Sequence, residues 1–258
     1  MALVLFSGGC DSTLVLHDLL KANDKNYISQ ITALSINHCQ VSANEQNKAA
    51  RESFKEEMGK RELNLHVNFC EIAITNTCSA NVNSIGSYGL SQPIIWSTIA
   101  MLYASNEDTI YFGYHSGDDF WLYKNEFEAA IQNICKISAK TIKIEYPLRH
   151  LYKHDIIRIL KERGLYEKTW YCEYPTVENK PCGECVPCRT HRTALWYLET
   201  FGNRLPRVDD YHVSTLPGLP LPSQDLNMDI AQAVIKEVAV VNDWEANGKK
   251  ECAMLQGT

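Results

Sequence analysis

A short turn of small and polar residues follows the first apolar run of the chain. Residues 2–6 fit a buried strand, residues 7–12 read SGGCDS, and residues 12–20 carry leucines at helical spacing. A strand, a glycine-rich turn and a helix N-terminus therefore follow one another. Such a turn exposes backbone N–H groups, and the helix dipole adds partial positive charge, so the turn favours an anion. A phosphate group is the expected ligand.

The spacing of this turn excludes the Walker phosphate-binding loop, since the string G-x-x-x-x-G-K-[ST] occurs nowhere in the sequence. The turn resembles instead the S-G-G-x-D-S loop of the PP-loop ATP pyrophosphatases, which cleave ATP between its α- and β-phosphates. That resemblance implies that ATP and its pyrophosphate bind to Ser7, Gly8, Gly9, Cys10, Asp11 and Ser12. It also implies that Asp11 helps to hold Mg²⁺. A glycine turn capped by Asp11 or Ser12 is the purely structural alternative.

A second group of reactive side chains is a set of four cysteines with the spacing C-x₉-C-x₂-C-x₂-C, namely Cys172, Cys182, Cys185 and Cys188. Four thiolates on two short turns can reach the corners of a tetrahedron, which is the geometry of structural Zn²⁺. An iron–sulfur cluster also uses four cysteines and is the alternative metal interpretation. Four core cysteines without any metal are the purely structural alternative. Because a closed site has no free position, zinc is expected to fold the loop and to place Arg189 and Arg192.

The composition is that of an ordinary soluble protein. The chain has 258 residues, 45% of them apolar, and a net charge of −6, which argues against nucleic acid as a partner. The N-terminus is apolar for only five residues before Ser7, so neither a signal peptide nor a membrane span is predicted. We expect a cytoplasmic protein whose ten cysteines stay reduced.

Strand-like and helical patterns alternate along the chain and must position these two groups. The predicted strands lie at 31–36, 65–72, 109–112 and 142–146, and the predicted helices at 44–62, 94–104 and 126–135. This alternation predicts an α/β fold in which a Rossmann-like parallel sheet carries helices on both faces. Ligands are then expected at the carboxyl ends of the strands, where residues 7–12 lie.

The last quarter of the chain lacks the alternating strand and helix pattern of the preceding residues. The stretch STLPGLPLP predicts a linker, and an apolar stripe in residues 229–244 suits either core packing or a homodimer contact. We expect one PP-loop domain over residues 1–203, including the zinc-binding region 172–188. Residues 204–258 would form the proline-containing linker and a helical appendage.

Several further segments, taken in chain order, resemble the 7-cyano-7-deazaguanine synthase (QueC) family of the PP-loop superfamily. Together with the SGGCDS loop they span about residues 2–200, and the segment TWYC opens the four-cysteine region. The other matched positions are Gln40, Glu45, Ala100, Ala104, Gly113, Asp118, Pro147, Leu148, Lys153 and Asp155. The loop by itself is typical of the superfamily, whereas the loop followed by this cysteine cluster is typical of the family.

The resemblance implies an ATP-dependent carbon–nitrogen ligase of queuosine biosynthesis, with ATP, Mg²⁺ and Zn²⁺ as cofactors. Its substrates would be 7-carboxy-7-deazaguanine, a small deazapurine, and ammonia. Adenylation of the carboxylate expels pyrophosphate, ammonia then displaces AMP to give the amide, and a second adenylation leads to the nitrile. The resemblance implies catalytic roles for Asp11, Lys153 and Asp118. Gln40, Trp121 and Tyr123 are the expected residues on the substrate side, the two aromatic side chains by stacking.

Three segments depart from the family pattern. Residues 88–96 read YGLSQPIIW where the family has V-P-G-R-N, Gly117 replaces a glutamate, and residues 120–127 read FWLYKNEF where the family has a tyrosine-proline-aspartate-cysteine-arginine run. The family's second-strand motif is also altered at residues 37–39. Because the adenylation residues are kept and the substrate segments are changed, a second hypothesis stops at the amide or joins the activated acid to another amine, including one on a protein.

A third hypothesis belongs to another class: a zinc-stabilised interaction module that binds nucleotide without turnover. Release of AMP would separate it from the two enzyme hypotheses. The tRNA-modifying sulfurtransferases of the same superfamily also carry a nucleotide loop and cysteines. The acidic net charge and the grouping of four cysteines into one ligand set disfavour them.

Overall fold

The computed structural model describes residues 2–23, 30–38, 44–61, 67–74 and 91–201. They lie in the first of two units, Met1–Leu205 and Pro206–Thr258. The expected linker and C-terminal helix lie outside the described residues, and the domain boundary at residue 203 stays a prediction. Gln40 also lies outside them.

In the described residues, five strands form one parallel sheet in the order β3-β2-β1-β4-β5. They are β1 (Ala2–Leu5), β2 (Ile31–His38), β3 (Val67–Ile74), β4 (Thr109–Tyr111) and β5 (Lys143–Glu145). Each strand coincides with a predicted apolar run to within a few residues. The parallel α/β fold is therefore confirmed.

Six α-helices accompany the sheet in the described part of the chain. They are α1 (Cys10–Asn23), α2 (Asn44–Lys60), α3 (Ser91–Tyr103), α4 (Lys124–Ile137), α5 (Lys153–Glu162) and α6 (Val186–Phe201). The first four correspond to predicted helices. Helix α6 begins inside the four-cysteine region, so its start belongs to the metal-binding segment. None of the described helices is both long and apolar enough to cross a bilayer.

The side chains of β1 alternate between two hydrophobic cores on opposite faces of the sheet. Ala2 and Val4 join the core that contains α1, α2, α5 and α6, whereas Leu3 joins the core of α3 and α4. Both cores are tightly buried, with Phe54 of α2 and Phe127 of α4 at 0% exposure. Helices therefore cover both faces, as a parallel sheet requires.

The strand order reverses between β1 and β4. From β1 the chain runs outward through β2 to β3, and β4 then returns to the other side of β1 and continues to β5. The segments that leave the carboxyl ends of β1 and β4 diverge to opposite faces and leave a crevice between them. Residues 7–12 and 113–118 both border this crevice.

Candidate active site and metal centre

A cavity of about 550 Å³ lies at this switch point. Its walls come from the turn after β1, the segment after β4, the start of α2, the first residue of α5 and the segment that leads into the cysteines. The lining includes eight residues expected from the sequence to be functional: Ser7, Gly9, Cys10, Asp11, Ser12, Asp118, Lys153 and Cys172. One cavity thus brings together the phosphate loop, both other expected catalytic residues and a metal ligand.

The phosphate loop forms the N-terminus of α1. The Thr13 N–H donates to the Gly9 carbonyl oxygen (3.0 Å), which closes the first turn of the helix. The backbone N–H of Gly9 donates to Ser7 Oγ (3.2 Å), and Ser7 Oγ lies 3.1 Å from Ser12 Oγ. Because the first N–H groups of a helix have no partner within it, this end presents donors and positive potential to an anion.

Glycine is required at position 8 by both conformation and space. Gly8 has φ +88°, and a Cβ there would lie 2.9 Å from the Asn47 carbonyl oxygen of α2. The Gly8 carbonyl oxygen also accepts from the Trp170 N–H (3.0 Å). The loop is therefore clamped between α2 and the segment that precedes the cysteines.

We expect Gly8→Ala to weaken nucleotide binding and to destabilise the protein. The left-handed backbone alone costs about 1–2 kcal/mol for alanine, and the contact with the Asn47 backbone adds to that cost. Gly59→Ala is the matched control, since a Cβ there meets nothing within 4 Å. Urea unfolding and ATP titration of both variants measure the difference. Equal stability and equal ATP affinity of the two variants would refute the role given to Gly8.

Asp11 and Lys153 form an ion pair across the cavity. Lys153 Nζ donates to both carboxylate oxygens, at 2.8 and 2.7 Å, and the side chains of Lys153 and Asp11 are 16% and 29% exposed. Burial acts to raise the pKa of Asp11, but the attraction and hydrogen bonds of Lys153, together with contributions from other neighbours, outweigh it and lower that pKa. Burial likewise acts to lower the pKa of Lys153, but the attraction and hydrogen bonds of Asp11, together with contributions from Cys10 and Asp118, outweigh it and raise that pKa. Both groups are charged at neutral pH.

The position of Lys153 is costly for the helix that carries it. It is the first residue of α5, where the helix dipole disfavours a cation. Asp11 stands in the first turn of α1, where the dipole favours a carboxylate. The cation is thus held at a helix N-terminus by an anion on another helix. Such a placement is typical of a site that handles phosphate rather than of a stabilising surface pair.

Asp118 is held by the residue three positions before it. His115 donates its backbone N–H to Asp118 Oδ2 (2.7 Å), and His115 Nε2 lies 3.3 Å from Asp118 Oδ1. Gly113, at the start of this segment, allows it to approach α1, because a Cβ there would lie 3.1 Å from the Asp11 Cβ. Asp118 lines the cavity, and its catalytic role stays a prediction.

The aromatic lining of the cavity differs from the sequence expectation. Its aromatic residues are Phe6, Trp96, Phe112, Tyr114, Trp170 and Tyr171. Trp121 is absent from the lining and donates its Nε1–H to the His115 carbonyl oxygen (2.6 Å), with its ring against Tyr146. Tyr123 is 44% exposed and is also absent from the lining. Their roles on the substrate side stay predictions, and Trp96, Tyr114 and Tyr171 are better placed.

Arg51 of α2 lines the cavity and was not singled out from the sequence. It is 4% exposed and donates to the Ser7 carbonyl oxygen (3.3 Å) and to Glu71 on β3 (3.2 Å). Asn44, Asn47 and Arg51 share one face of α2, at the i, i+3 and i+7 positions. This polar stripe can be read from the sequence, but the burial of Arg51 and its contacts with the loop cannot.

The four cysteines converge into one metal-competent group. Their sulfur atoms all lie within 4.8 Å of one another, with Cys182 Sγ 3.9 Å from Cys188 Sγ and Cys185 Sγ 4.0 Å from Cys172 Sγ. Backbone N–H groups of Glu184 and Cys185 donate to Cys182 Sγ. Burial acts to raise the pKa of Cys182, but these donors outweigh it and lower that pKa to about 7. A Cys182 thiolate stabilised in this way is ready to bind a metal, whereas burial raises the pKa of Cys172 and of Cys188.

A four-residue segment joins the metal centre to the phosphate loop. Thr169 Oγ1 lies 3.3 Å from Cys10 Sγ, and the Trp170 N–H binds the Gly8 carbonyl oxygen. Tyr171 follows and lines the cavity, with its ring 3.6 Å from the ring of His191 on α6. Cys172 then supplies the first sulfur atom. A change at the metal centre therefore acts directly on the loop and on one cavity wall.

Comparisons with known proteins find similar sequences along most of the chain. A family model described as "Queuosine biosynthesis protein QueC" matches residues 1–198. A 7-cyano-7-deazaguanine synthase of a Nitratiruptor species is 30% identical over 208 residues, which cover 73% of this chain and 90% of that protein. One of Prochlorococcus marinus is 30% identical over 225 residues, covering 77% of this chain and 95% of that protein.

A solved structure, "U34-tRNA thiolase NcsA from Methanococcus maripaludis with its [4Fe-4S] cluster", is also similar. It is 15% identical, covers 83% of this chain and 73% of its own, and superposes with a TM-score of 0.47. A likeness of this size says nothing about the ligand of the four cysteines described above.

Proposed function

Because this chain belongs to the QueC family, we propose that it converts 7-carboxy-7-deazaguanine to 7-cyano-7-deazaguanine, with ATP as the activating reagent and ammonia as the nitrogen source. As a family member the chain is an ATP-dependent carbon–nitrogen ligase of the PP-loop superfamily. The observation that carries the proposal is the cavity in which the SGGCDS loop, Lys153 and Asp118 meet.

The first chemical step activates the carboxylate, because a carboxylate oxygen is a poor leaving group when ammonia attacks the carbon. A carboxylate oxygen of the substrate attacks the α-phosphorus of ATP, a P–O bond forms, and the bond to the β-phosphate oxygen breaks to release pyrophosphate. The N–H groups at the start of α1 and the hydroxyls of Ser7 and Ser12 bind the leaving pyrophosphate. Lys153 neutralises charge that builds up on the phosphate oxygens.

The oxygen donors around the loop fit Mg²⁺, a hard cation that prefers carboxylate and hydroxyl ligands. Asp11 would hold it, together with oxygen atoms of the ATP phosphates, and Ser12 lies within the same turn of α1. When bound, the ion supplies charge neutralisation at the phosphates. The lowered pKa of Asp11 keeps its carboxylate ionised for this purpose at neutral pH.

The second step forms the carbon–nitrogen bond. Ammonia attacks the acyl carbon, the carbon–oxygen bond to AMP breaks, and the nitrogen loses one proton. Asp118, which lines the cavity in the segment after β4, would accept that proton. The amide oxygen then attacks the α-phosphorus of a second ATP and expels pyrophosphate. Cleavage of the carbon–oxygen bond releases AMP, the nitrogen loses its two remaining protons, and the nitrile is left.

Aromatic walls suit a flat deazapurine ring. Trp96, Tyr114 and Tyr171 line the cavity, and Tyr114 is itself stacked on Phe120 at 3.9 Å between ring centroids with planes 8° apart. Preassembled rings stack on a planar base with little loss of side-chain entropy. We propose that these walls, rather than Trp121 or Tyr123, hold the base.

Zinc fits the four cysteines better than an iron–sulfur cluster. A Zn–S bond of about 2.3 Å in a tetrahedron separates the sulfur atoms by about 3.8 Å. Two of the sulfur pairs, at 3.9 and 4.0 Å, are close to that separation, and all four sulfur atoms lie within 4.8 Å of one another. In a four-iron cluster each thiolate binds a different iron atom, which moves the sulfur atoms farther apart. The zinc would be structural, since four thiolates leave no open position.

One incubation tests the proposed reaction. With 7-carboxy-7-deazaguanine, Mg-ATP and ammonium, the protein is expected to release AMP and pyrophosphate and to yield a nitrile, which mass spectrometry identifies. Omitting the acid is the control, because adenylation needs it as the nucleophile. Release of ADP and orthophosphate would refute the loop assignment. Bound nucleotide without any AMP would favour the binding-module hypothesis.

The departures in the substrate segments support a second candidate, an enzyme that stops at the amide or joins the activated acid to another amine, including one on a protein. Trp96 belongs to the altered stretch 88–96 and lines the cavity, so the alteration reaches the site itself. The same incubation discriminates: amide as the end product, or AMP release that depends on an added amine, favours this candidate. Efficient nitrile formation favours the first.

A further inference from the structure

His115 is a buried histidine at the active site for which neither the family motif nor the proposed reaction gives a role. It is 5% exposed and lies between Gly113 and Asp118 in the segment after β4. The segment is tied to the residues just before α5, because the Ser116 N–H donates to the Leu151 carbonyl oxygen (2.8 Å). It is therefore fixed relative to Lys153, the first residue of that helix.

The hydrogen bonds of His115 determine its tautomer. The Gly117 N–H donates to Nδ1 at 3.1 Å, so Nδ1 is an acceptor and carries no proton. In the neutral ring the proton is then on Nε2, which lies 3.3 Å from Asp118 Oδ1. Nε2 thus lies against one carboxylate oxygen, and the backbone N–H of His115 donates to the other. A single residue thus engages both oxygens of Asp118.

The surroundings keep the ring neutral. Burial lowers the pKa of His115 to about 4, the nearby charge of Lys153 and the neighbouring His154 act in the same direction, and Asp11 opposes them. A neutral donor orients a carboxylate without cancelling its charge, whereas an imidazolium would cancel it. Asp118 can then face Lys153 and accept a proton as a full anion.

We propose that His115 is a positioning residue that orients the Asp118 carboxylate for the amidation step through its neutral Nε2–H. The proposal rests on the proposed function for the identity of that step. The contact itself follows from the geometry alone. The proposal predicts that amide formation needs a hydrogen-bond donor at the position of Nε2. An acceptor at the position of Nδ1 does not replace that donor.

A pair of variants separates the two ring nitrogens. His115→Gln can place an amide donor near the Nε2 position, while His115→Asn keeps an acceptor for the Gly117 N–H but cannot reach Asp118. We expect His115→Asn to lower kcat for amide formation by about 10-fold with little change in the KM for ATP, and His115→Gln to restore most of that loss. The acidic limb of the kcat–pH profile should move to higher pH in His115→Asn, because an unsupported carboxylate protonates more easily.

Coupling to Asp118 distinguishes positioning from packing. In an Asp118→Asn background, His115→Asn should have no further effect on the single-turnover rate, whereas a packing role would add its own loss. Thermal midpoints and bound zinc report whether each variant is folded. Equal kcat in wild type, His115→Asn and His115→Gln, or full additivity with Asp118→Asn, would overturn the proposal.

Histidine nitrogen NMR tests the contact without any turnover, so the result stands even if the proposed reaction fails. Comparison with the His115→Gln spectrum assigns the ring. We expect a neutral Nε2–H tautomer between pH 6 and 8, with an Nε2–H resonance that shifts in Asp118→Asn. An Nδ1–H tautomer, or a ring that is protonated at pH 6, would overturn the proposal. If the wild type releases no AMP while this tautomer is found, the proposed function fails and the positioning contact stands.

Discussion

Asp11→Asn is expected to lower the rate of AMP and pyrophosphate formation by on the order of 100- to 1000-fold. The substitution keeps the size of the side chain but removes the charge that faces Lys153 and that would hold Mg²⁺. Lys153 then has no carboxylate at 2.7 Å to hold it at the start of α5. Formation of labelled AMP, measured under saturating ATP, gives the loss in kcat directly.

Asp18→Asn is the matched control for this substitution. Asp18 lies on the same helix and pairs with Arg163 and His17, away from the residues that line the cavity. It should change stability slightly and leave the rate of AMP formation within about twofold. Asp11→Asn with normal AMP formation would refute the role given to the loop, whatever the metal content of the protein.

Loss of folding is a competing explanation for an inactive Asp11→Asn protein, because it leaves the Lys153 cation without its partner in a largely buried site. The double variant Asp11→Asn/Lys153→Met removes both charges. We expect it to regain thermal stability while it stays inactive. Recovery of activity together with stability would mean that the pair is structural.

The sequence predicted the fold well because the strands of a parallel sheet are continuous apolar runs with helical stretches between them. The runs near residues 31–36 and 109–112 coincide with β2 and β4. Residues 7–12 also had to lie at the carboxyl end of β1, since they follow it directly. The strand order does not follow from these patterns, and the reversal between β1 and β4 that opens the cavity appears only in the structure.

The candidate site was predictable where chemistry is local in sequence. The SGGCDS turn and the closely spaced cysteines are both recognised from neighbouring residues, and they coincide with the loop of the cavity and the sulfur cluster. The aromatic wall was not predictable in the same way. Trp121 follows the expected motif closely in sequence, yet its Nε1–H binds the His115 carbonyl oxygen, whereas Trp96 reaches the cavity from α3. Side-chain direction across elements decides such positions.

Arg51 and His115 were missed for a related reason. Both are polar residues that are almost fully buried, at 4% and 5% exposure, and their partners are distant or specific in geometry. Arg51 binds a backbone carbonyl oxygen of the loop 44 residues earlier. A buried polar side chain is identified by the partners that compensate its desolvation, and those partners are known only once the chain is folded.

Cys185→Ser is expected to release the metal and to destabilise the domain strongly. Cys185 supplies one of the four sulfur atoms, 4.0 Å from Cys172 Sγ, and a serine hydroxyl is a harder and much weaker ligand for zinc. Binding of a structural zinc contributes its free energy to folding. Elemental analysis after dialysis should find about one zinc per chain in the wild type and little in the variant.

The same substitution should also weaken ATP binding, although Cys185 does not line the cavity. The connection runs from Cys172 through Tyr171 to Trp170, whose N–H holds the Gly8 carbonyl oxygen. Cys70→Ser is the control, since Cys70 lies on β3 and outside the sulfur cluster, so it should keep both zinc and ATP affinity. Zinc retained at wild-type affinity in Cys185→Ser would refute the ligand set, and an iron–sulfur chromophore in the wild type would refute the metal. If the variant loses zinc but keeps its ATP affinity, the loop is held in place without the metal. Residues 169–172 would then link the two sites along the chain without coupling metal binding to ATP binding.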